Sequence, residues 1–159
     1  MRGDILKIVK RVHEIFSDKG LTLSVAESCT GGLISSYLTD LPGASSFFIA
    51  GIVSYSGGAK KHILGISPDV IRKYGVVSAE TAREMAERMR VIAKTDYTLA
   101  TTGNLGPDVL EGKEKGLVYI AAGKEGQTVA CELKLKGNRL ENKEGAAISA
   151  LRLLIKAAE

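Results

Sequence analysis

The chain has 159 residues, 45% of them hydrophobic and 25% charged, with a net charge of +4 and a pI of about 9.1. That length fits one domain over 1–159, and the composition excludes a disordered chain. No apolar run approaches the roughly 18 residues of a membrane span, and basic residues interleaved with acidic ones, without tryptophan, argue against a nucleic-acid track.

Ile5, Ile8, Val9, Val12 and Phe16 recur at helical spacing, which predicts an amphipathic helix over Met1–Phe16, ended by Gly20, and no cleaved leader. Leu21–Val25 reads as a short strand. A Ser28–Gly32 loop then opens a helix carrying Leu33, Ile34, Tyr37, Leu38 and Leu41, which Pro42-Gly43 breaks. Phe48–Tyr55 is the second strand, with short helices after it at 59–64 and 68–74. Ser78 is a good N-cap for a helix presenting Ala82, Met85, Ala86 and Met89. Tyr97–Thr102 is the third strand, and residues 103–115 form a long loop of the kind that is functional or mobile. Leu117–Ala122 and Thr128–Leu135 make a hairpin about Gly123–Gly126, and a last amphipathic helix carries Ile148, Leu151, Leu154 and Ile155. This order predicts an α/β fold: a three-layer α/β/α sandwich around a mixed, mostly parallel sheet of about five strands.

Two cysteines, Cys29 and Cys131, are too few for a disulfide framework, and His13 and His62 read as surface or helix-edge residues. No metal site and no cofactor are expected. A cytoplasmic protein is, with a dimer as the ordinary homo-oligomer.

Chemistry concentrates in two places. Ser28-Cys29-Thr30-Gly31-Gly32 joins a strand to a helix, where ligands of open α/β sheets bind and where free N–H groups favour an anion. Ser28 or Thr30 could equally serve as a plain helix cap. Tyr55 ends a strand and Lys60 lies just inside the next helix, from where it could point back, lose hydration and act as a base; the competing reading is a solvated lysine.

Ala26-Glu27-Ser28-Cys29-Thr30-Gly31-Gly32-Leu33 resembles the signature of the CinA C-terminal family, which includes nicotinamide-nucleotide amidases. The resemblance continues through 41–48, Gly51–Ser56, Ala59-Lys60, Gly75–Ser78, Thr102-Gly103, Gly106-Pro107, Gly116–Tyr119 and Gly137–Arg139. It implies a Ser28, Tyr55 and Lys60 catalytic group that deamidates nicotinamide mononucleotide to nicotinate mononucleotide and ammonia. Ser28 would be the nucleophile, Lys60 its base, and Tyr55 a proton relay or a prop for Lys60. Glu27, Cys29, Thr30, Gly31, Gly32 and Gly103 would contact substrate, with backbone N–H groups of 30–32 serving oxyanion or phosphate. Arg139, with Lys143 as a weaker second, would hold the phosphate of a small nucleotide substrate.

Three positions depart from the family's usual pattern: the stretch Gly103–Leu110, Gly57 where asparagine is common, and Lys143 where a second arginine is common. They bear on the ligand rim. A binding module without turnover and a competence or DNA-damage partner are the rival readings; the intact Ser28–Tyr55–Lys60 set argues against the first and the absence of a basic stripe against direct DNA binding in the second.

Overall fold

The computed structural model describes residues 2–159. Helix α1 (Arg2–Lys19) buries Val9, Val12, Ile15 and Phe16 on one face; Met1 of the expected helix lies outside the described residues. Its end explains why strand β1 (Leu23–Glu27) starts later than expected. Gly20 turns left-handed, its N–H donates to Ser17 O, and the Leu21 N–H donates to Phe16 O, so Leu21 closes the helix rather than opening the strand.

The chain continues through α2 (Leu33–Thr39), a 3-10 turn (Ala44–Ser46), β2 (Phe48–Val53), α3 (Gly57–His62), α4 (Pro68–Tyr74) and α5 (Ala79–Ala93). It finishes with β3 (Tyr97–Gly103), β4 (Leu117–Lys124), β5 (Gln127–Lys134) and α6 (Arg139–Ala158). The sheet order is β2-β1-β3-β4-β5. β1 pairs parallel with both β2 and β3, whereas β4 is antiparallel to β3 and to β5. Four strands therefore share one direction and β4 opposes them, the mixed sheet that the hairpin demands. The hairpin turn is tighter than expected, because Lys124 already pairs with Gln127 and Gly126 takes a positive φ.

Residues on alternate sides of the central strands build the two outer layers. Val25, Leu99, Val118 and Ile120 face α1, α2 and α6, packed with Phe16, Leu151 and Leu154. Ala26, Ala100 and Ala121 face the other way, and their small side chains make room for Met85 and Met89 of α5 with Leu64 and Ile66. Among the described residues, no helix is long and apolar enough to cross a membrane.

Because β2 and β3 flank β1 on opposite sides, the chain reverses its winding at β1, and the β1–β3 carboxyl ends form a topological switch point. Ser28 stands there.

Candidate active site

Ser28 follows β1 directly, with its N–H donating to Thr101 O (3.1 Å) on β3. Gly31 (φ 59°) and Gly32 (φ 99°) then take left-handed conformations, which turn the chain sharply into α2 and which other residues adopt only with strain. Neither Ser28 nor Thr30 caps that helix, contrary to the simpler expectation. Glu27 does it from the strand. Its Oε1 accepts from Thr30 Oγ1 (2.6 Å), Gly32 N (3.2 Å) and Ile34 N (3.0 Å), and its Oε2 from Ser35 N (3.0 Å) and Ser35 Oγ (2.8 Å).

This arrangement corrects two expectations. Glu27 is fully buried with both oxygens committed inside the protein, so it is not a substrate contact. The N–H of Gly32 is spent on Glu27, and that of Gly31 on Ser28 O (3.0 Å), so neither awaits an oxyanion or a phosphate. The N–H groups left open in the turn are those of Cys29 and Thr30. The Thr30 side chain is also turned inward, bonded to Glu27 and to Thr101 Oγ1 (2.8 Å). Cys29 lines the cleft, but burial pushes its thiol up to about 12, which keeps it protonated beside Ser28.

Lys60 comes from α3, whose N-cap Ser56 accepts from Ala59 N (3.0 Å) and fixes the first turn. The lysine is 1% exposed. Its Nζ donates to Ser28 Oγ (2.7 Å), to Ser54 O (2.8 Å) and to Tyr55 O (3.2 Å). Burial lowers the amine from 10.5 to about 8, the lost hydration outweighing the opposing influence of Cys29 and Glu111. The solvated-lysine reading is excluded. The two carbonyls were invisible to residue-type reasoning, since any residue supplies one; the strand end just before Lys60 was the available signal.

Tyr55 differs from the expectation in how it takes part. Its carbonyl accepts from Lys60, and from the Ser28 hydroxyl at 3.4 Å, but its side chain is 58% exposed and turned away from both. The phenol oxygen accepts instead from Arg139 Nη2 (2.8 Å), so a relay through the ring has no geometric basis here. Arg139 also donates through Nη1 to Gly106 O (2.6 Å), bridging the start of α6, the β2 exit and the 104–116 loop. Lys143, one helical turn on, places Nζ 3.5 Å from where a Cβ on Gly31 would sit, so this second cation borders the turn after Ser28.

Ser28, Cys29, Tyr55, Lys60 and Gly103 line a cavity of about 80 Å³ whose opposite wall is Val76, Val77 and Leu110. Sequence reasoning missed the apolar wall: Val76 and Val77 lie within a matching motif, Gly75–Ser78, but between two helices nothing in their residue type marks which way they face. The 104–116 loop that supplies Leu110 is anchored rather than loose. Glu111 Oε2 and Oε1 accept from Val76 N and Val77 N (both 3.0 Å), and Lys113 Nζ donates to Tyr74 O (2.8 Å) and Val77 O.

The profile of the CinA C-terminal domain matches residues 5–158. A relative from Acetivibrio thermocellus, named as a competence-damage inducible protein, is 54% identical over 123 residues, covering 77% of this chain and 30% of that protein. Another of the same name, from Clostridium beijerinckii, is 43% identical over 151 residues, covering 94% of this chain and 37% of that one. The chain thus spans about a third of the length of these curated relatives. A competence or damage-inducible protein from Enterobacter asburiae superposes with a TM-score of 0.95 at 32% identity, covering 98% of each chain. A competence/damage inducible protein from Agrobacterium tumefaciens gives 0.94 at 33% identity, covering 98% of this chain and 96% of that one.

Proposed function

Since the chain belongs to the CinA C-terminal domain family, we propose that it is an amidohydrolase whose Ser28 attacks the carboxamide of nicotinamide mononucleotide. The observation that carries this reading is the 2.7 Å contact between Ser28 Oγ and a dehydrated Lys60 amine.

In the neutral amine, two N–H bonds satisfy the carbonyls of Ser54 and Tyr55, which aims the lone pair at the Ser28 hydroxyl. Lys60 takes that proton as Ser28 Oγ bonds to the amide carbon. The carbonyl oxygen becomes an oxyanion beside the open N–H groups of Cys29 and Thr30. Lys60 returns its proton to the departing nitrogen, ammonia leaves, and water, deprotonated by the same amine, splits the Ser28 ester to nicotinate mononucleotide. Val76, Val77 and Leu110 offer the flat pyridine ring an apolar wall, while Arg139 and Lys143 neutralise the phosphate.

The test is ammonia release from nicotinamide mononucleotide by the purified protein. Ser28→Ala and Lys60→Ala should each lower turnover by about three orders of magnitude or more, and the double variant should be little worse than either, because groups acting as a unit are strongly non-additive. Near-normal turnover in folded Lys60→Ala removes the assignment. The relatives' names support a second reading, a role in competence or damage response; it does not need the dyad, so it should survive Ser28→Ala.

A further inference from the structure

We propose that Glu27 is a positioning residue for Ser28, its carboxylate holding the turn after β1 in a shape that leaves the Ser28 hydroxyl to Lys60 and the N–H groups of Cys29 and Thr30 without protein partners. The inference rests on the Ser28–Lys60 reading above and deepens it.

The argument starts from the donors. A turn that passes from a strand into a helix exposes N–H groups that have no partner within the helix. Here a hydroxyl at position 28 or 30 would ordinarily cap them, and a capping Ser28 could not also attack a substrate. Glu27 removes that conflict. Reaching across from the last residue of β1, it collects the N–H groups of Gly32, Ile34 and Ser35 and two hydroxyls on one buried carboxylate. Every partner is a donor, so the group must present lone pairs on both oxygens, and no cation shares the site among the described residues. The carboxylate also places a negative charge at the start of α2, where the helix dipole favours one.

Two consequences follow for the chemistry. Ser28 keeps its hydroxyl for Lys60, and the donors not collected by Glu27 or by the turn itself are those of Cys29 and Thr30, the two residues after Ser28, of which Cys29 lines the cleft. A ligand phosphate meets an existing anion at the helix start, which directs it to Arg139 and Lys143 instead. Gln in place of Glu27 keeps the shape but substitutes a donating NH2 group for an accepting oxygen, so it faces Ile34 N–H or Ser35 N–H with the wrong polarity.

The experiment follows the rate at which a fluorophosphonate labels Ser28, with pH, in the wild type, Glu27→Gln and Thr30→Val. Labelling joins Ser28 Oγ to phosphorus as fluoride leaves and Lys60 takes the proton, so it reads the nucleophile without depending on the natural substrate. Glu27→Gln should lower the plateau rate by about 10–100-fold, less than the roughly 100–1000-fold cost of removing an oxyanion donor outright, because the donors are displaced and not lost. The pH midpoint near 8 should stay, because burial sets it and Glu27 is not among its causes. Thr30→Val, which removes one donor to Glu27 and leaves the backbone intact, should show a smaller loss with the same midpoint; it decides the matter should Glu27→Gln fail to melt cooperatively. Wild-type labelling rates in the folded variants overturn the role of Glu27 while leaving the amidase reading in place, and so does a shifted midpoint, which would make Glu27 an electrostatic partner of Lys60. A wild type that releases no ammonia and resists labelling overturns both.

Discussion

A lysine amine closed off from water loses the hydration that favours its charged form, and Lys60 shows the consequence: a value lowered from 10.5 to about 8, with only carbonyl and hydroxyl oxygens as hydrogen-bond partners. If the neutral amine is the base, as proposed, turnover should rise with pH through about 8 and level off above it. The same shift has a stability sign. Between about 8 and 10.5 the unfolded chain holds a proton that the folded chain lacks, so folding stability at this group rises across that window and the penalty for a buried ammonium is complete below it. Lys60→Arg should abolish the ascending limb, because arginine does not give up its proton. Tyr55→Phe keeps the carbonyl that Lys60 uses and loses only the phenol bonded to Arg139, so it should raise KM several-fold and leave the kcat limb where it is. Steady-state kinetics over pH check both; a collapsed kcat in Tyr55→Phe would put the ring back into the proton path.

At the scale of elements, legibility divides along physical lines. The strand–turn–helix at Ser28 and the helix at Lys60 were readable, because alternation, helical spacing and glycine punctuation are local signals. The capping of α2 was not, because a carboxylate at the last residue of a strand carries no mark of which way it turns, and Ser28 and Thr30 are the more familiar caps. Leu21 reads as strand for a related reason: its apolar side chain fits one, whereas its N–H belongs to the end of α1. Gly103 lines the cleft, and the structure adds a packing demand at its place there. A Cβ there would sit 2.6 Å from Val118 Cγ2, 2.8 Å from Val118 Cα and 2.9 Å from Leu117 O, so β3 and β4 would have to part. Gly103→Ala should cost about 1–3 kcal/mol in chemical denaturation. It should also lower turnover by displacing the β3 end from Ser28. Full stability in that variant would show that the β3–β4 register yields more easily than these contacts allow.

Across the whole molecule the site is a meeting of distant segments. β1 brings Ser28, the β2 exit brings the carbonyls, α3 brings Lys60, and α6 arrives last with the cations. The apolar face of α6 seats it on the sheet, and polar contacts fix its N-terminal end at the site. Asn142, 2% exposed, donates to Leu105 O (3.1 Å) and accepts from Gly137 N (2.9 Å), and Arg139 donates to Gly106 O and Tyr55 Oη. Arg139 is bonded to the protein here, and under the proposed function it would turn to the ligand phosphate. Replacing it removes charge-assisted hydrogen bonds of about 1.5–3 kcal/mol, which is about 10–100-fold in affinity. Arg139→Ala should accordingly raise KM for nicotinamide mononucleotide by that factor with little change in kcat, because the phosphate lies far from the reacting carbon and its binding is uniform between ground and transition states. The effect should shrink as salt is raised, since Arg139 is exposed and its field is screened. Nicotinamide riboside, which lacks the phosphate, serves as the control. An equal KM increase on the riboside would mean that Arg139 acts through the Tyr55 and Gly106 bridge, holding the cleft rather than the phosphate, and would leave Lys143 as the anion contact over Gly31.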